Sequence, residues 1–267
     1  MSKDLIKDYW PIEQEAVLLI KTELSEFLQN FKPNRLSFPG LQVGAPVKIS
    51  LQDTYFDTPS QELGTIQAAL RLRKEGGSLL LGVKGRDQWT TSGVSRIEVE
   101  ESWSANGVAT ILHYLDFMGV NLTHPGVPIG SAEPVSILSL MGLNPIQDRS
   151  LKRTLWPILD NVDRKICSLG LDVVTLNLSD EQVKYGEIEI ELVDGSVNTI
   201  KNLFDAILYN YSEFLQPWRY SKLQTGIAIE SLSRSSDGAG IVNENGELTL
   251  AGISQIERYL KKNASAK

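Results

Sequence analysis

The chain has very little cysteine and histidine, and this scarcity limits the kinds of site it can form. Its 267 residues include one cysteine, Cys167, and two histidines, His113 and His124. One cysteine cannot form a disulfide within the chain and suits a reducing compartment, so a cytoplasmic location is predicted. So few thiol and imidazole groups do not support a zinc site, and any metal is expected to have oxygen ligands.

Long hydrophobic runs and the common catalytic motifs are also missing. The first ten residues, MSKDLIKDYW, contain acids and no apolar run, unlike a signal peptide, and no later run reaches membrane-spanning length. There is no Walker A loop, dinucleotide fingerprint or G-x-S-x-G motif. The net charge of −7 disfavours nonspecific DNA binding. We therefore expect no membrane or DNA partner, and a monomer or homodimer.

What the sequence has instead is a set of segments in which charged and apolar residues alternate. In GEIEIEL, Glu187, Glu189 and Glu191 occupy every second position. This is the period of a β-strand, so the three carboxylates are predicted to project from one face and the aliphatic side chains from the other. Shorter runs repeat the pattern, with either sign of charge: Glu13 and Glu15, Glu98 and Glu100, Arg71 and Arg73.

Eight or more strands, interrupted by helical stretches, predict an α+β fold built on an antiparallel barrel or strongly curved sheet. A hairpin is expected over residues 67–86, with its turn at residues 75–78. Separate strands are expected over residues 164–169 and 172–178, and a helix over residues 197–215.

One domain is predicted to comprise residues 1–230. Residues 231–267 are predicted to form a polar C-terminal appendage that is flexible or peripheral, because residues 232–247 are rich in glycine and polar side chains.

The acidic rows have two interpretations. Carboxylates are usually solvent-exposed, and each row alone is compatible with the outer face of an amphipathic strand. Several rows on one curved sheet instead indicate oxygen ligands for Mg²⁺ or Mn²⁺. The candidate metal ligands are Glu13, Glu15, Glu98, Glu100, Glu187, Glu189 and Glu191.

The basic residues also have two interpretations, which are compatible with each other. Arginine binds phosphate oxygens through paired N–H groups, and lysine supplies a point charge. The alternative is that these residues form cross-strand salt bridges with the acidic rows. Arg219 and Lys222, three residues apart, would share one face of a helix. The candidate phosphate ligands are Arg71, Arg73, Lys84, Arg153, Arg219 and Lys222.

Taken in order, these segments resemble those of the CYTH proteins, or triphosphate tunnel metalloenzymes, over roughly residues 9–230. The matching segments are DTYFDT (53–58), ALRLRKE (69–75), LGVKGR (81–86), SRIEVEE (95–101), KRTLW (152–156), GEIEIEL (186–192) and YSKLQTG (220–226). The resemblance implies an eight-stranded antiparallel β-tunnel with helices packed outside. Its inward arginines and lysines would hold a triphosphate, and its glutamates would hold a divalent metal.

By motif position, the resemblance implies roles for individual residues. The phosphate would be bound by Arg71, Arg73, Lys84, Arg153 and Lys222. The metal would be bound by Glu13, Glu15, Glu189 and Glu191, with Glu187 as a further candidate, and Glu98 and Glu100 would bind metal or orient the bases. The implied catalytic set is Glu13, Glu15, Arg71, Arg73 and Lys84. An aspartate also belongs to the pattern, and both Asp172 and Asp180 are candidates for it.

One position departs from the family pattern. The family begins with Glu-x-Glu-x-Lys, whereas this chain has Val17 where the lysine belongs. The resemblance implies that this lysine contacts phosphate, which valine cannot do. Three activities are therefore open: metal-dependent hydrolysis of a triphosphate, binding of polyphosphate or nucleotide without cleavage, and formation of cyclic AMP by an adenylyl cyclase. Hydrolysis is expected, with inorganic tripolyphosphate preferred over nucleoside or thiamine triphosphate because no segment predicts a pocket for an organic group.

Overall fold

The computed structural model describes residues 11–90, 93–120, 122–123, 129–130, 132–179, 181–235, 238 and 240–264. The strands are β1 (Ile12–Ile20), β2 (Gln42–Val43), β3 (Val47–Asp57), β4 (Ala69–Glu75), β5 (Ser78–Lys84), β6 (Gln88–Thr90), β7 (Gly93–Ser102), β8 (Asn144–Leu159), β9 (Lys165–Asn177), β10 (Gln182–Leu192) and β11 (Leu215–Trp218). The helices are α1 (Leu24–Asn30), α2 (Glu62–Thr65), α3 (Ala105–Phe117), α4 (Pro134–Leu140), α5 (Val197–Asn210), α6 (Lys222–Ser233) and α7 (Leu250–Ala264).

Backbone hydrogen bonds connect the strands into one sheet. The order is β11-β1-β10-β9-β8-β3-β4-β5-β7-β6, and β2 pairs with β8. An additional pairing of β1 with β7 closes the path through the eight strands of seven or more residues. The predicted fold class, a closed eight-stranded antiparallel sheet with helices packed outside it, is therefore confirmed. Among the described residues, no helix has both the length and the apolar character needed to cross a membrane.

The chain divides into two compact units. Unit 1 comprises Met1–Glu13, Ser50–Trp89 and Ser95–Arg149, and unit 2 comprises Gln14–Ile49, Thr90–Val94 and Ser150–Lys267. In unit 1, helices α3 and α4 pack on the apolar face of strands β4 and β5. Leu70 and Leu72 alternate with Arg71 and Arg73 along β4, and the leucines join the buried core against Ile111 of α3. Alternation therefore places the two arginines on the strand face opposite the helices.

Unit 2 follows the same rule. Ile188 and Ile190 of β10 are fully buried in a core that also contains Phe27 of α1 and Ile200 and Leu203 of α5. The glutamates that alternate with these isoleucines consequently project from the other face of β10. In both units, the packing of helices on one strand face determines where the charged residues lie.

Several elements differ from the sequence prediction. The hairpin over 67–86 is confirmed, with Gly76 and Gly77 in its turn at φ values of +54° and +92°. The two strands predicted over 164–178 are one continuous strand, β9, because Gly170 keeps its place in the ladder opposite Glu189 of β10. The helix predicted over 197–215 ends at residue 210, where the chain turns into β11 to pair with β1.

The C-terminal segment packs against the rest of unit 2 over its described residues. Helix α6 runs across the predicted boundary at residue 230, and Ile256 of helix α7 is fully buried. Lys184 of β10 donates its backbone N–H to Gly246 over 2.7 Å, and the Glu247 carboxylate accepts the first N–H of helix α1, from Leu24, over 3.2 Å. The segment thus completes hydrogen bonds that the rest of unit 2 leaves open.

Gly93, the first residue of β7, lies against β1 too closely for any side chain. Its φ is +136°, and an added Cβ would lie 2.2 Å from the Glu15 carbonyl oxygen. We expect Gly93→Ala to lower the free energy of unfolding by about 3 kcal/mol or more, through backbone strain and overpacking together. Urea denaturation measures the change. Gly40→Ala is the control, since Gly40 also has a positive φ of +73° but open space around it, and should cost only about 1 kcal/mol. Equal losses in the two variants would contradict the close approach.

Candidate functional site

Two groups of charged side chains occupy the strand faces that point away from the helices. The arginine cluster lies in unit 1 and consists of Arg71, Arg73, Lys84, Arg96 and Arg149 with their partners Glu13, Asp53, Glu98 and Glu100. The carboxylate cluster lies in unit 2 and consists of Asp172, Glu187 and Glu189 with Arg153 and Lys222.

In the arginine cluster, Arg71 reaches two strands away to the acidic row of β7. Its Nη2 donates to Glu100 over 2.6 Å and to Glu98 over 3.4 Å. Gly82 lies between Arg71 and Glu100 in the strand register, and a Cβ there would lie 3.4 Å from the Glu100 carboxylate. A glycine at this position leaves the space through which the guanidinium meets its partner. Arg71 is only 7% exposed, so it does not belong to an outer solvated face.

Glu13 of β1 is held by two cations. Lys84 donates to both of its carboxylate oxygens, over 3.0 and 2.8 Å, and Arg96 Nε lies 2.9 Å from it. Lys84 is also 3.0 Å from Glu98. Burial alone would raise the pKa of Glu98, but Lys84 and Arg71 lower that pKa below its ordinary value, so this carboxylate stays ionised.

Asp53 of β3 and Arg73 of β4 stand directly opposite each other in the strand register. Arg73 donates its Nε–H and an Nη2–H to the two carboxylate oxygens of Asp53, over 2.7 and 2.8 Å. Arg149 Nη2 lies 3.5 Å from the same carboxylate and also donates to the Tyr55 hydroxyl. Burial would raise the pKa of Asp53, but Arg73 and its neighbouring guanidinium groups lower it well below the ordinary range.

The carboxylate cluster is built by three consecutive strands of the sheet and one helix end. Asp172 of β9 is the register partner of Glu187 in β10, and Glu189 follows on the same face. One oxygen from each of these three residues lies within 4.8 Å of the others. Arg153 of β8 forms a two-bond fork with Asp172, over 2.7 and 2.6 Å, and donates to Glu189 as well. The cluster therefore gathers side chains from three strands, β8, β9 and β10.

Lys222, the first residue of helix α6, places its ammonium group among these carboxylates. It contacts Glu187 and Glu189, and its Nζ lies 3.1 Å from Asp172. Burial raises the pKa of Glu187 to about 7, with further contributions from Glu189 and Asp172, while Lys222 opposes the shift. Burial would lower the pKa of Lys222, but these same carboxylates raise that pKa above its ordinary value.

The carboxylate cluster fits a hard divalent cation. Its donors are all carboxylate oxygens, the ligands that Mg²⁺ and Mn²⁺ prefer. Glu187 is 1% exposed, and its Oε2 atom has no hydrogen-bond partner within the described part of the chain. A buried carboxylate oxygen without a donor is costly unless a ligand satisfies it. Of the two candidate aspartates, Asp172 lies in the carboxylate cluster, and Asp180 lies outside the described residues.

The remaining predicted residues are placed as follows. Glu15 of β1 is the register partner of Glu191, and Val17 is the register partner of Glu189, so all four residues share one face. The shared helix face predicted for Arg219 and Lys222 is wrong. Arg219 is exposed in the turn after β11, because Ser221 caps helix α6 and the helix begins only at residue 222.

Sequence reasoning missed Asp53 and Arg96 as members of the arginine cluster. Asp53 lies in the quoted segment DTYFDT and has the strand parity of Tyr55, which was a usable signal. Arg96 precedes the E-x-E of β7 by two residues, so it also shares that face. Their partners were not predictable from local patterns, because the pairing of distant strands decides them.

Comparison with known proteins gives one family. A model of the CYTH domain matches residues 20–218. No curated protein matches the chain. Among solved structures, a candidate adenylyl cyclase from Hippeastrum with a dominant triphosphatase activity is 15% identical, with a TM-score of 0.50, over 81% of this chain and 95% of its own. A candidate adenylate cyclase from Bacillus halodurans is 18% identical, with a TM-score of 0.46, over 80% and 97%.

The raised pKa of Glu187 makes stability depend on pH. The folded protein keeps a proton on Glu187 up to about pH 7, whereas the unfolded chain releases it near the ordinary value of 4.5. Stability from this group is therefore present at low pH and lost as pH rises through 7. With metal ions chelated, the free energy of unfolding of the wild type, relative to Glu187→Gln, should fall by roughly 2 kcal/mol between pH 5 and pH 8. Urea denaturation at both pH values measures this, and parallel pH profiles would contradict it.

Proposed function

The chain belongs to the CYTH domain family, and from that premise we propose that it is a divalent-metal-dependent hydrolase that releases phosphate from a triphosphate-containing substrate. The observation that carries the proposal is the carboxylate cluster, in which three acids converge and a buried oxygen of Glu187 has no hydrogen-bond partner among the described residues. The triphosphatase activity described for the Hippeastrum protein, which shares the fold, supports the same class of reaction.

The arginine cluster supplies the groups that would bind the phosphates. Bulk water reaches little of the side chains of Arg71, Arg73 and Lys84. Each of these side chains already forms a salt bridge with a carboxylate. Phosphoryl transfer depends chiefly on positioning and on neutralising charge, which cations fixed in advance provide without reorganisation. Arg153 and Lys222 would act in the same way within unit 2.

The metal would be held by Asp172, Glu187 and Glu189, with Glu13, Glu15, Glu98, Glu100 and Glu191 as further candidate ligands. When bound, Mg²⁺ or Mn²⁺ would neutralise and polarise phosphate oxygens. Lys222 now neutralises the oxygens that the cation would use, so the ammonium group has to share them or yield them. Inorganic tripolyphosphate is the proposed substrate, because the two clusters supply guanidinium and ammonium groups, which bind phosphate oxygens.

The test is phosphate release from tripolyphosphate, ATP and thiamine triphosphate, each with Mg²⁺ and with Mn²⁺. We expect turnover of tripolyphosphate, and we expect Glu189→Gln to weaken Mn²⁺ binding by about tenfold or more, measured by calorimetry without substrate. Glu213→Gln is the matched control, since Glu213 is an exposed glutamate outside both clusters. Absence of turnover on all three substrates would overturn the hydrolase, and cyclic AMP as the product from ATP would indicate a cyclase instead.

A second function, binding of polyphosphate or nucleotide without cleavage, is favoured by one observation. Val17 is 7% exposed, pairs with Glu189 on one side and with Trp218 on the other, and brings no positive charge to the face that it shares with the glutamates. Loss of one cation from a phosphate site can reduce turnover more than affinity if the cation acts mainly in the transition state.

Restoring the lysine separates the two functions. If the absence of this cation limits the reaction, Val17→Lys should raise turnover of tripolyphosphate by about tenfold, with a smaller change in KM. Steady-state kinetics measures both constants. Val17→Met, which adds length without charge, is the control and should leave turnover near the wild-type value. Equal turnover in Val17→Lys and wild type, both well above background, would show that this chain hydrolyses its substrate without the family lysine.

A further inference from the structure

We infer that Asp53 is a positioning residue that holds Arg73 in the orientation in which its guanidinium binds an anion. The inference rests on the proposed function, because the anion is the triphosphate. Asp53 is no candidate for contact with that anion itself. Its side chain is fully buried, and its negative charge would repel phosphate.

The geometry of the Asp53–Arg73 pair carries the first step. Asp53 accepts from Nε and from Nη2, which form one edge of the guanidinium. Arginine has five N–H donors in a rigid plane, so this fork leaves three of them, two on Nη1 and one on Nη2. The structure gives Arg73 no further hydrogen bond within its described part. The edge formed by Nη1 and Nη2 is the one that suits a bidentate phosphate contact.

The backbone fixes Asp53 as firmly as it fixes Arg73. The two residues are direct register partners in β3 and β4, and aspartate has a short side chain with few rotamers. Arg149 adds a second support. It lies 3.5 Å from the Asp53 carboxylate, its guanidinium carbon is 4.4 Å from the centre of the Tyr55 ring, and it is 2% exposed. The acceptor is thus held on two sides before any ligand binds.

The same fork occurs a second time, in the other unit. Arg153 donates its Nε–H and an Nη2–H to the two oxygens of Asp172, over 2.7 and 2.6 Å, and the Asp172 side chain is also fully buried. In both of these candidate phosphate ligands, a buried aspartate from a neighbouring strand therefore binds the guanidinium edge formed by Nε and Nη2. A repeated geometry of this kind points to a constraint on the guanidinium rather than to a general need for charge balance.

The test is a double-mutant cycle on tripolyphosphate affinity, measured by calorimetry on the full chain. We expect Asp53→Asn to weaken binding about tenfold. Asparagine replaces one acceptor oxygen with an NH2 group, which cannot accept an N–H of Arg73, so the guanidinium is no longer held by the fork. Arg73→Gln should weaken binding at least as much. The double variant should bind no worse than Arg73→Gln alone, within about twofold, because Asp53 acts only through Arg73.

Asp57→Asn is the matched control. Asp57 is a buried aspartate of the same strand, but in the described part of the chain its carboxylate accepts only backbone N–H groups, from Thr58, Leu63 and Gly64, over 2.8 to 2.9 Å. It should lower stability and leave tripolyphosphate affinity unchanged. Should Asp53→Asn fail to fold, Arg73→Lys provides the test, since lysine keeps the charge but cannot form the fork. It should weaken binding by about the same tenfold factor.

The outcomes separate this inference from the proposed function. A wild type that binds tripolyphosphate, with Arg73→Gln weakened and Asp53→Asn unchanged, overturns the inference alone. So do effects of Asp53→Asn and Arg73→Gln that multiply, or an Arg73→Lys variant that binds as tightly as wild type. A wild type that does not bind tripolyphosphate overturns the proposed function, and the inference with it.

Discussion

Burial of ionised side chains next to the sheet is the constraint from which the rest of the structure follows. Helices pack on one face of β4, β5 and β10, so alternation leaves the charged residues to the other face, where many are too buried for water to neutralise them. A buried charge is tolerated only when an opposite charge and hydrogen bonds compensate it. Both clusters meet this condition, because each arginine or lysine lies beside carboxylates from other elements of the same unit.

This compensation also creates the chemistry of the site. A guanidinium that is fixed by carboxylates loses little entropy when an anion binds, because the protein has already restricted it during folding. The cost is that each cation is partly neutralised before ligand arrives, so a ligand must offer more charge than a single carboxylate. A triphosphate, with several negative charges on one short chain, meets that requirement better than a monoester does. The requirement is strongest at Arg71, which already contacts two glutamates.

The periodic part of this structure could be predicted from the sequence. Alternation located the acidic row of β10 and the basic row of β4, and the Gly76-Gly77 turn located the hairpin, because each is a property of a few consecutive residues. What could not be predicted was which strands are neighbours. Asp53 meets Arg73 only through the β3–β4 register, and Arg153 meets Asp172 only once β8 lies beside β9. The break expected near Gly170 was wrong for the same reason, since pairing with β10 extends the strand through the glycine.

The residues after 218 show how far the carboxylate cluster depends on distant parts of the chain. Lys222 reaches the carboxylates because helix α6 begins at that residue, and the helix start is fixed by a capping box of Ser221 and Gln224. Thr225, one turn further, accepts the indole N–H of Trp218, which pairs with Val17 in the sheet. Near the C-terminal end of helix α6, the Ser231 hydroxyl forms a hydrogen bond with the Tyr259 hydroxyl of helix α7. The family match ends at residue 218, and Lys222, its capping box and helix α7 all lie beyond that residue. The segment beyond it therefore holds the lysine that neutralises the carboxylate cluster, and its packing bears directly on the site.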